Sequence, residues 1–190
     1  FISTSGLTVG HLWNDQIVQA VAQSSADEVF LFGKRMPITS VGEKKTTIDE
    51  LQQAIKYRPV AERKRHIADL YSQCGEPDIP SQFLSSKQIK LMHDSGMTIG
   101  AHTCEHPILS LELDADAEME IAEGKCKLED IIGEKVKYFA YPNGKLWVDF
   151  DARHIDMLKA QGFTAALSSD WGIVDRPLES PLPWSIRCNR

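Results

Sequence analysis

Apolar positions recur every three or four residues through several stretches of the chain, and short unbroken apolar runs separate them. Leu12, Ile17, Val18 and Val21 predict a helix over 12–22. Val29-Phe30-Leu31-Phe32, then Gly33-Lys34, then Met36-Pro37-Ile38 predicts a hairpin. Ile48, Leu51 and Ile55 share one face of a helix expected from Ile48 to about Tyr57, with Thr47 as its cap. Pro59 is placed to open a second helix that runs to Cys74 and stops at Gly75. Arg63-Lys64-Arg65 reads as the solvated face of that helix. Residues 11–84 are thus expected to be a mostly helical insertion between two strands.

From Ser85 onward the pattern becomes regular. A helix capped by Ser85 or Ser86 carries Ile89 and Met92, and Gly96 ends the connection to the apolar run Met97-Thr98-Ile99-Gly100-Ala101. A longer helix, with Asp114 as its expected cap, places Ala117, Ile121, Leu128 and Ile131 on one face; Asp116, Glu118 and Glu120 suit its positive N-terminal end, and Gly133 ends it. Val136 to Ala140 then reads as a strand. Asp151 caps a helix with Ile155 and Leu158, Gly162 ends it, and Phe163 to Leu167 reads as the next strand, with one more over Leu182 to Arg187. A unit of helix, glycine, strand and polar loop therefore occurs three times. Such alternation predicts an α/β fold with parallel strands joined by right-handed crossovers. Three loops then share one end of the sheet: His102 with His106, Tyr141 to Gly144, and Asp170 with Trp171. Loops that follow parallel strands are where such folds place their chemistry.

Composition narrows the classes. The 190 residues suit one domain, with an ordinary apolar content of 42% and charged content of 25%. A net charge of −6 argues against nucleic acid or an anionic membrane as main partner. No run reaches the ~18 apolar residues of a transmembrane helix. Cys74, Cys104, Cys126 and Cys188 form no CxxC pattern and read as buried free thiols. The opening Phe1-Ile2-Ser3-Thr4 is strand-like, with neither a methionine nor a leader pattern, and the chain is expected to begin inside a domain.

The chemistry concentrates at Ala101-His102-Thr103-Cys104-Glu105-His106-Pro107. Pro107 disfavours helical backbone at His106, which places both histidines in a turn at the end of a strand. A tight turn can aim two imidazoles at one point, and neutral imidazole is the commonest protein ligand for zinc and its neighbours. Two exposed loop histidines would show the same spacing. Cys104, two residues from each, points elsewhere.

These loops resemble the polysaccharide deacetylases of the NodB-homology type, carbohydrate esterase family 4. Ile99-Gly100-Ala101-His102-Thr103 through His106-Pro107 is similar to the family's metal motif. Phe139-Ala140-Tyr141-Pro142-Asn143-Gly144 is similar to the motif of one groove wall, Ser169-Asp170-Trp171-Gly172 to the next, and the opening six residues to the strand after the first motif. The resemblance implies an incomplete, distorted parallel (β/α) barrel with a helical insertion, spanning 1–190 as a single domain. It places the Asp-Asp motif, with catalytic base and third metal ligand, ahead of Phe1. Ala140 stands where the family often has arginine, and no histidine follows His154 to act as the late general acid.

The resemblance further implies a divalent ion on His102 and His106, zinc first, with cobalt, nickel or manganese as alternatives. It implies an acetylated glycan as substrate, with Tyr141, Pro142, Asn143 and Trp171 at its binding groove and the Asn143 N–H facing the oxyanion. Asp170 would orient a cationic neighbour in catalysis. Tyr141 reads equally as core, Trp171 as a loop anchor and Asp170 as a turn residue. Three functions compete: a metal-dependent deacetylase of an N- or O-acetylated glycan, a related amidohydrolase of a small amide or cyclic ureide, and an inactive glycan-binding member.

Overall fold

The structure, a computed structural model, describes residues 1–170 and, for the backbone alone, 185–187. The chain divides into two compact units, Val9–Phe83 and Phe1–Thr8 with Leu84–Arg190. A single helical turn, α1 (Gly6–Val9), falls at the first boundary.

The unit Val9–Phe83 is a helical layer on a two-stranded hairpin. Helix α2 (Trp13–Gln23) buries Ile17, Ala20 and Val21. Strands β1 (Glu28–Leu31) and β2 (Lys34–Pro37) pair antiparallel, with Leu31 opposite Lys34. The two turn residues, Phe32 at φ 52° and Gly33 at φ 74°, are both left-handed, as the twist of a two-residue hairpin requires. Phe32 is an unusual residue there; its ring packs 4.5 Å from that of His66, with the Arg58 guanidinium 5.5 Å over its face.

Helix α3 (Val41–Lys56) begins well before the expected Ile48. Ser40 and Glu43 form a reciprocal capping box, and the first turns carry Gly42, Lys44 and Lys45, so the apolar period becomes visible only at Ile48. Thr47 is therefore not the cap. It is buried within the helix and its hydroxyl donates to Pro37 O at 2.9 Å. Helix α4 (Val60–Cys74) starts after Pro59 and ends at Gly75, φ 84°. Arg63 departs from the expected solvated face: it is 2% exposed, with its guanidinium 5.2 Å over the Trp13 ring, while Lys64 and Arg65 face solvent. Ile17, Val21, Val29, Leu31, Ile38, Leu51, Ile55 and Leu70 close the core of this unit.

The other unit is built on parallel strands. Helix α5 (Ser86–Asp94) is capped by Ser85. A 3-10 turn (Leu109–Leu111) precedes α6 (Asp114–Ile132), which leads to β3 (Tyr138–Ala140); α7 (Ala152–Ala160), capped by Asp151, leads to β4 (Ala165–Ser168). The backbone of β5 (Ser185–Arg187) adds to β4. Ile2 bridges Ala101, Ala101 bridges Phe139, β3 pairs β4 and β4 pairs β5, all in parallel. The strands after Gly96, Gly133 and Gly162 thus run parallel, in an open array. No closed barrel is formed among the described residues.

Two local expectations change. Met97–Ala101 is not a full strand: only Ala101 pairs, donating to Tyr138 O at 2.9 Å and accepting from Ala140 N at 3.0 Å, while Met97 is exposed. The Phe1 ring occupies the space that a Cβ at Gly100 would need. Asp114 is the first residue of α6 and not its cap, a place taken by Leu113; the Asp114 carboxylate pairs with Arg153. The core here is formed by Phe139, Phe150, Phe163, Ile121, Leu128 and Leu109, with Tyr141 among them. Each fully buried side chain of this size contributes about 1.5–3 kcal/mol. His154 is fully buried too. Its Nδ1 accepts from Asp151 N at 3.0 Å and its Nε2–H donates to Leu109 O at 3.0 Å, so it ties α7 to the 3-10 turn.

Candidate metal centre

The chain leaves the sheet at Ala101 and turns at once. Thr103 has φ 63° and His106 φ 55°, both left-handed, a conformation that costs a non-glycine residue on the order of 1–3 kcal/mol. Pro107 disfavours right-handed helix at His106, and the chain takes the left-handed region instead. Neighbouring groups over-determine this turn. Ser3 Oγ donates to His102 O at 2.8 Å, Thr4 N to Thr103 O at 3.1 Å, and Ser5 Oγ to Cys104 O at 2.8 Å. His106 N donates to Thr103 Oγ1 at 3.1 Å. From α6, the Glu120 carboxylate accepts from Cys104 N and Glu105 N.

His102 Nδ1 lies 2.7 Å from Ala140 O. A carbonyl only accepts, so Nδ1 carries the proton and Nε2 is left as a lone pair. Burial holds the imidazole below its ordinary pKa, partly offset by the Ala140 bond. Neutral imidazole, oriented through its other nitrogen by a backbone carbonyl, is the form in which histidine ligates metals. The His106 ring stands 4.7 Å away, centroid to centroid, at 77°. Two imidazoles that share an ion at ~2.0–2.1 Å must have rings this near each other. The pair therefore fits two positions of a metal site. Among the described residues no group of three or more His, Cys, Asp or Glu completes one. Cys104 does not join the pair: its thiol is buried against the Thr4 hydroxyl, 3.3 Å away, and burial pushes its pKa up.

The loop after β3 lies beside His102 through Ala140. Pro142 and Gly144 are buried, and Asn143 is left-handed at φ 60°. Ser169 N donates to Gly144 O at 2.9 Å and Ser169 Oγ to Asn143 O at 2.5 Å, so this loop and the one after β4 are bonded together. A Cβ at Gly144 would fall 2.8 Å from Ser169 N, which only glycine avoids. The Asn143 N–H meets no acceptor among the described residues.

Tyr141 does not line an open face. Its ring is buried, stacked on Phe150 at 3.6 Å and 3°, and burial pushes its pKa up. The hydroxyl is buried without a partner among the described residues. Asp170 accepts from Leu146 N at 3.0 Å, and no cationic side chain pairs with it among the described residues. Trp171 lies outside the described residues. Sequence reading missed Glu120 as part of this site, because along the chain it is one more acid on a helix. Trp147, left-handed at φ 63° and 71% exposed, donates its backbone N–H to Phe150 O at 2.8 Å.

The polysaccharide deacetylase family model matches residues 43–166, and the chain belongs to this family. Among solved structures, it is similar to the deacetylase PplD of Streptococcus pyogenes, solved with acetate (22% identity over 47% of this chain and 38% of that one, TM-score 0.44). IcaB of Ammonifex degensii matches at 26% over 60% and 50%, with TM-score 0.46. A polysaccharide deacetylase of Bacillus cereus matches at 22% over 70% and 43%, with TM-score 0.46. The chain spans half or less of each of these structures. No curated protein matches significantly.

Proposed function

We propose that the chain is the metal-binding part of a hydrolase that removes acetyl groups from an N- or O-acetylated polysaccharide or oligosaccharide. Membership of the polysaccharide deacetylase family supports the reaction class. The observation that supports the metal is the His102 Nδ1–H bond to Ala140 O, which leaves Nε2 with its lone pair while the His106 ring stands 4.7 Å away, centroid to centroid. His102 and His106 would hold a divalent ion, zinc first among the candidates. When bound, such an ion would supply Lewis acidity toward an acetyl carbonyl and toward water.

The chain's own residues have distinct tasks. Ala140 O and burial keep His102 neutral and in one tautomer. The Asn143 N–H, fixed by the left-handed backbone and the Ser169 bond, is a preorganised donor for the charge that develops on the carbonyl oxygen. Pro142 and Gly144 shape the loop that carries it. Asp170 holds Leu146 and so the far end of the same loop, a positioning role, and Trp171 would face the sugar. In this reading the parallel array is part of an incomplete (β/α) barrel, with the site at the C-terminal ends of its strands.

The test is acetate release from acetylated oligosaccharides by the natural polypeptide that carries these residues. Activity should fall on treatment with a chelator and return with zinc or cobalt. His102→Ala and His106→Ala should each lower kcat/KM by about 100-fold or more. Acetate release that survives both the chelator and the double substitution would overturn the metal reading. Release from small amides alone would transfer the chain to the amidohydrolase reading.

A further inference from the structure

Glu120 and Gly124 lie one helical turn apart on α6, and both meet the backbone between the two histidines. One carboxylate oxygen of Glu120, Oε2, accepts from Cys104 N at 2.9 Å and from Glu105 N at 2.8 Å. A Cβ at Gly124 would fall 2.9 Å from the Thr103 carbonyl carbon and 3.0 Å from its oxygen, so that no side chain fits there. All three residues between His102 and His106 are therefore held from α6: Thr103 by close approach and the next two by hydrogen bonds.

Glu120 differs from its acidic neighbours. Asp116 and Glu118 are exposed, as residues that only complement a helix N-terminus would be. Glu120 is half-buried and turned onto the loop. Burial raises its carboxyl above the ordinary range, and the two N–H bonds work against that rise. A single oxygen shared by successive N–H groups fixes their direction, and with it the rotation of the chain at Cys104 and Glu105. That rotation sets how far apart the two imidazoles stand.

We propose that Glu120 is a positioning residue of the His102–His106 pair, holding the two imidazoles at the separation that a divalent cation needs by pinning the Cys104 and Glu105 amides. The inference rests on the reading of His102 and His106 as ligands, and extends it to a residue that touches neither ring. Gly124 is its complement, the gap that lets α6 come close enough for the carboxylate to reach.

The experiment titrates cobalt(II) into the metal-stripped natural polypeptide and measures hydrogen exchange at the Cys104 and Glu105 amides without metal. Glu120→Ala should weaken cobalt binding by about 10–100-fold and speed exchange at both amides by about tenfold, with helix content unchanged. Glu120→Gln, which keeps an acceptor oxygen, should stay within about threefold of the wild type in both readouts. Wild-type protein that binds no cobalt would remove the ligand reading and this inference with it. Tight wild-type binding equalled by Glu120→Ala would overturn this inference and leave the ligand reading standing. If Glu120→Ala fails to fold, Gly124→Ala decides, since it displaces α6 from Thr103 without touching the carboxylate. It should weaken cobalt binding, and wild-type affinity there would overturn the proposal.

Discussion

His154 is a fully buried histidine that ties α7 to the 3-10 turn. Both ring nitrogens are spoken for, one by Asp151 N and the other by Leu109 O. Burial holds the imidazole below its ordinary pKa of 6.5, although Asp151 pulls the other way, and the adjacent Arg153 adds to the depression. The unfolded chain therefore binds a proton more readily than the folded one. Stability from this group is complete above about pH 6.5 and is lost as pH falls toward the lower folded value. The urea midpoint should decline between about pH 7 and pH 5, and His154→Gln should flatten that decline; an unchanged slope would refute it. Tyr141 makes a second residue-scale case. A buried hydroxyl without a partner costs about 1–3 kcal/mol, so Tyr141→Phe should raise stability by about 1 kcal/mol. A fall in Tm would mean that the hydroxyl has a partner beyond the described residues. His102 and His106 are legible in sequence because their spacing, Pro107 and the preceding apolar run are all local. Glu120 is not, since its partners lie fifteen and sixteen residues away and nothing in an acidic helix marks which acid turns inward.

At the scale of elements, legibility followed the apolar period and failed where structure rests on polar contacts. Helix α4 was readable from Pro59 and Gly75, and the hairpin from its glycine turn. The start of α3 was not, because its first turns carry Gly42, Lys44 and Lys45 where an apolar period would show, and they depend on Ser40 and Glu43 for their orphan N–H groups. Glu43 Oε2 accepts from Ser40 N at 2.9 Å, and Ser40 Oγ accepts from Glu43 N at 3.2 Å. Ser40→Ala should therefore destabilise the protein by about 1 kcal/mol, read as a lower Tm. No change would mean that the first turns of α3 contribute nothing to folding and that the helix in effect begins near Ile48. The basic run at Arg63 misled for a related reason. Its burial depends on Trp13, on another helix, and a charged run viewed alone looks solvated.

At the scale of the molecule, the threefold recurrence of helix, glycine and strand favours parallel pairing, because a crossover helix returns the chain to the end of the sheet where the previous strand began. The sequence sets 11–84 apart as a mostly helical segment between strands, and the structure divides the chain at Val9–Phe83. That division emerges from the cores. Ile17, Val29, Leu51, Ile55 and Leu70 form one buried cluster, and Phe139, Phe150, Phe163, Ile121 and Leu128 another. Units that close their own cores open as separate cooperative blocks. Leu51→Ala removes a fully buried side chain from the first cluster and should cost that unit about 2–5 kcal/mol. Amide exchange should then accelerate across Val9–Phe83, while the ladder amides Ala101, Ala140 and Tyr141 keep their wild-type rates. Equal acceleration in the ladder would show one cooperative core spanning the chain. In that case a substitution in the other unit would reach the histidine turn through global unfolding alone. Preserved ladder protection would instead mean that the turn, with Ala140, Glu120 and Gly124 as its supports, is stabilised within its own unit. Its capacity to hold an ion could then be measured independently of the stability of Val9–Phe83.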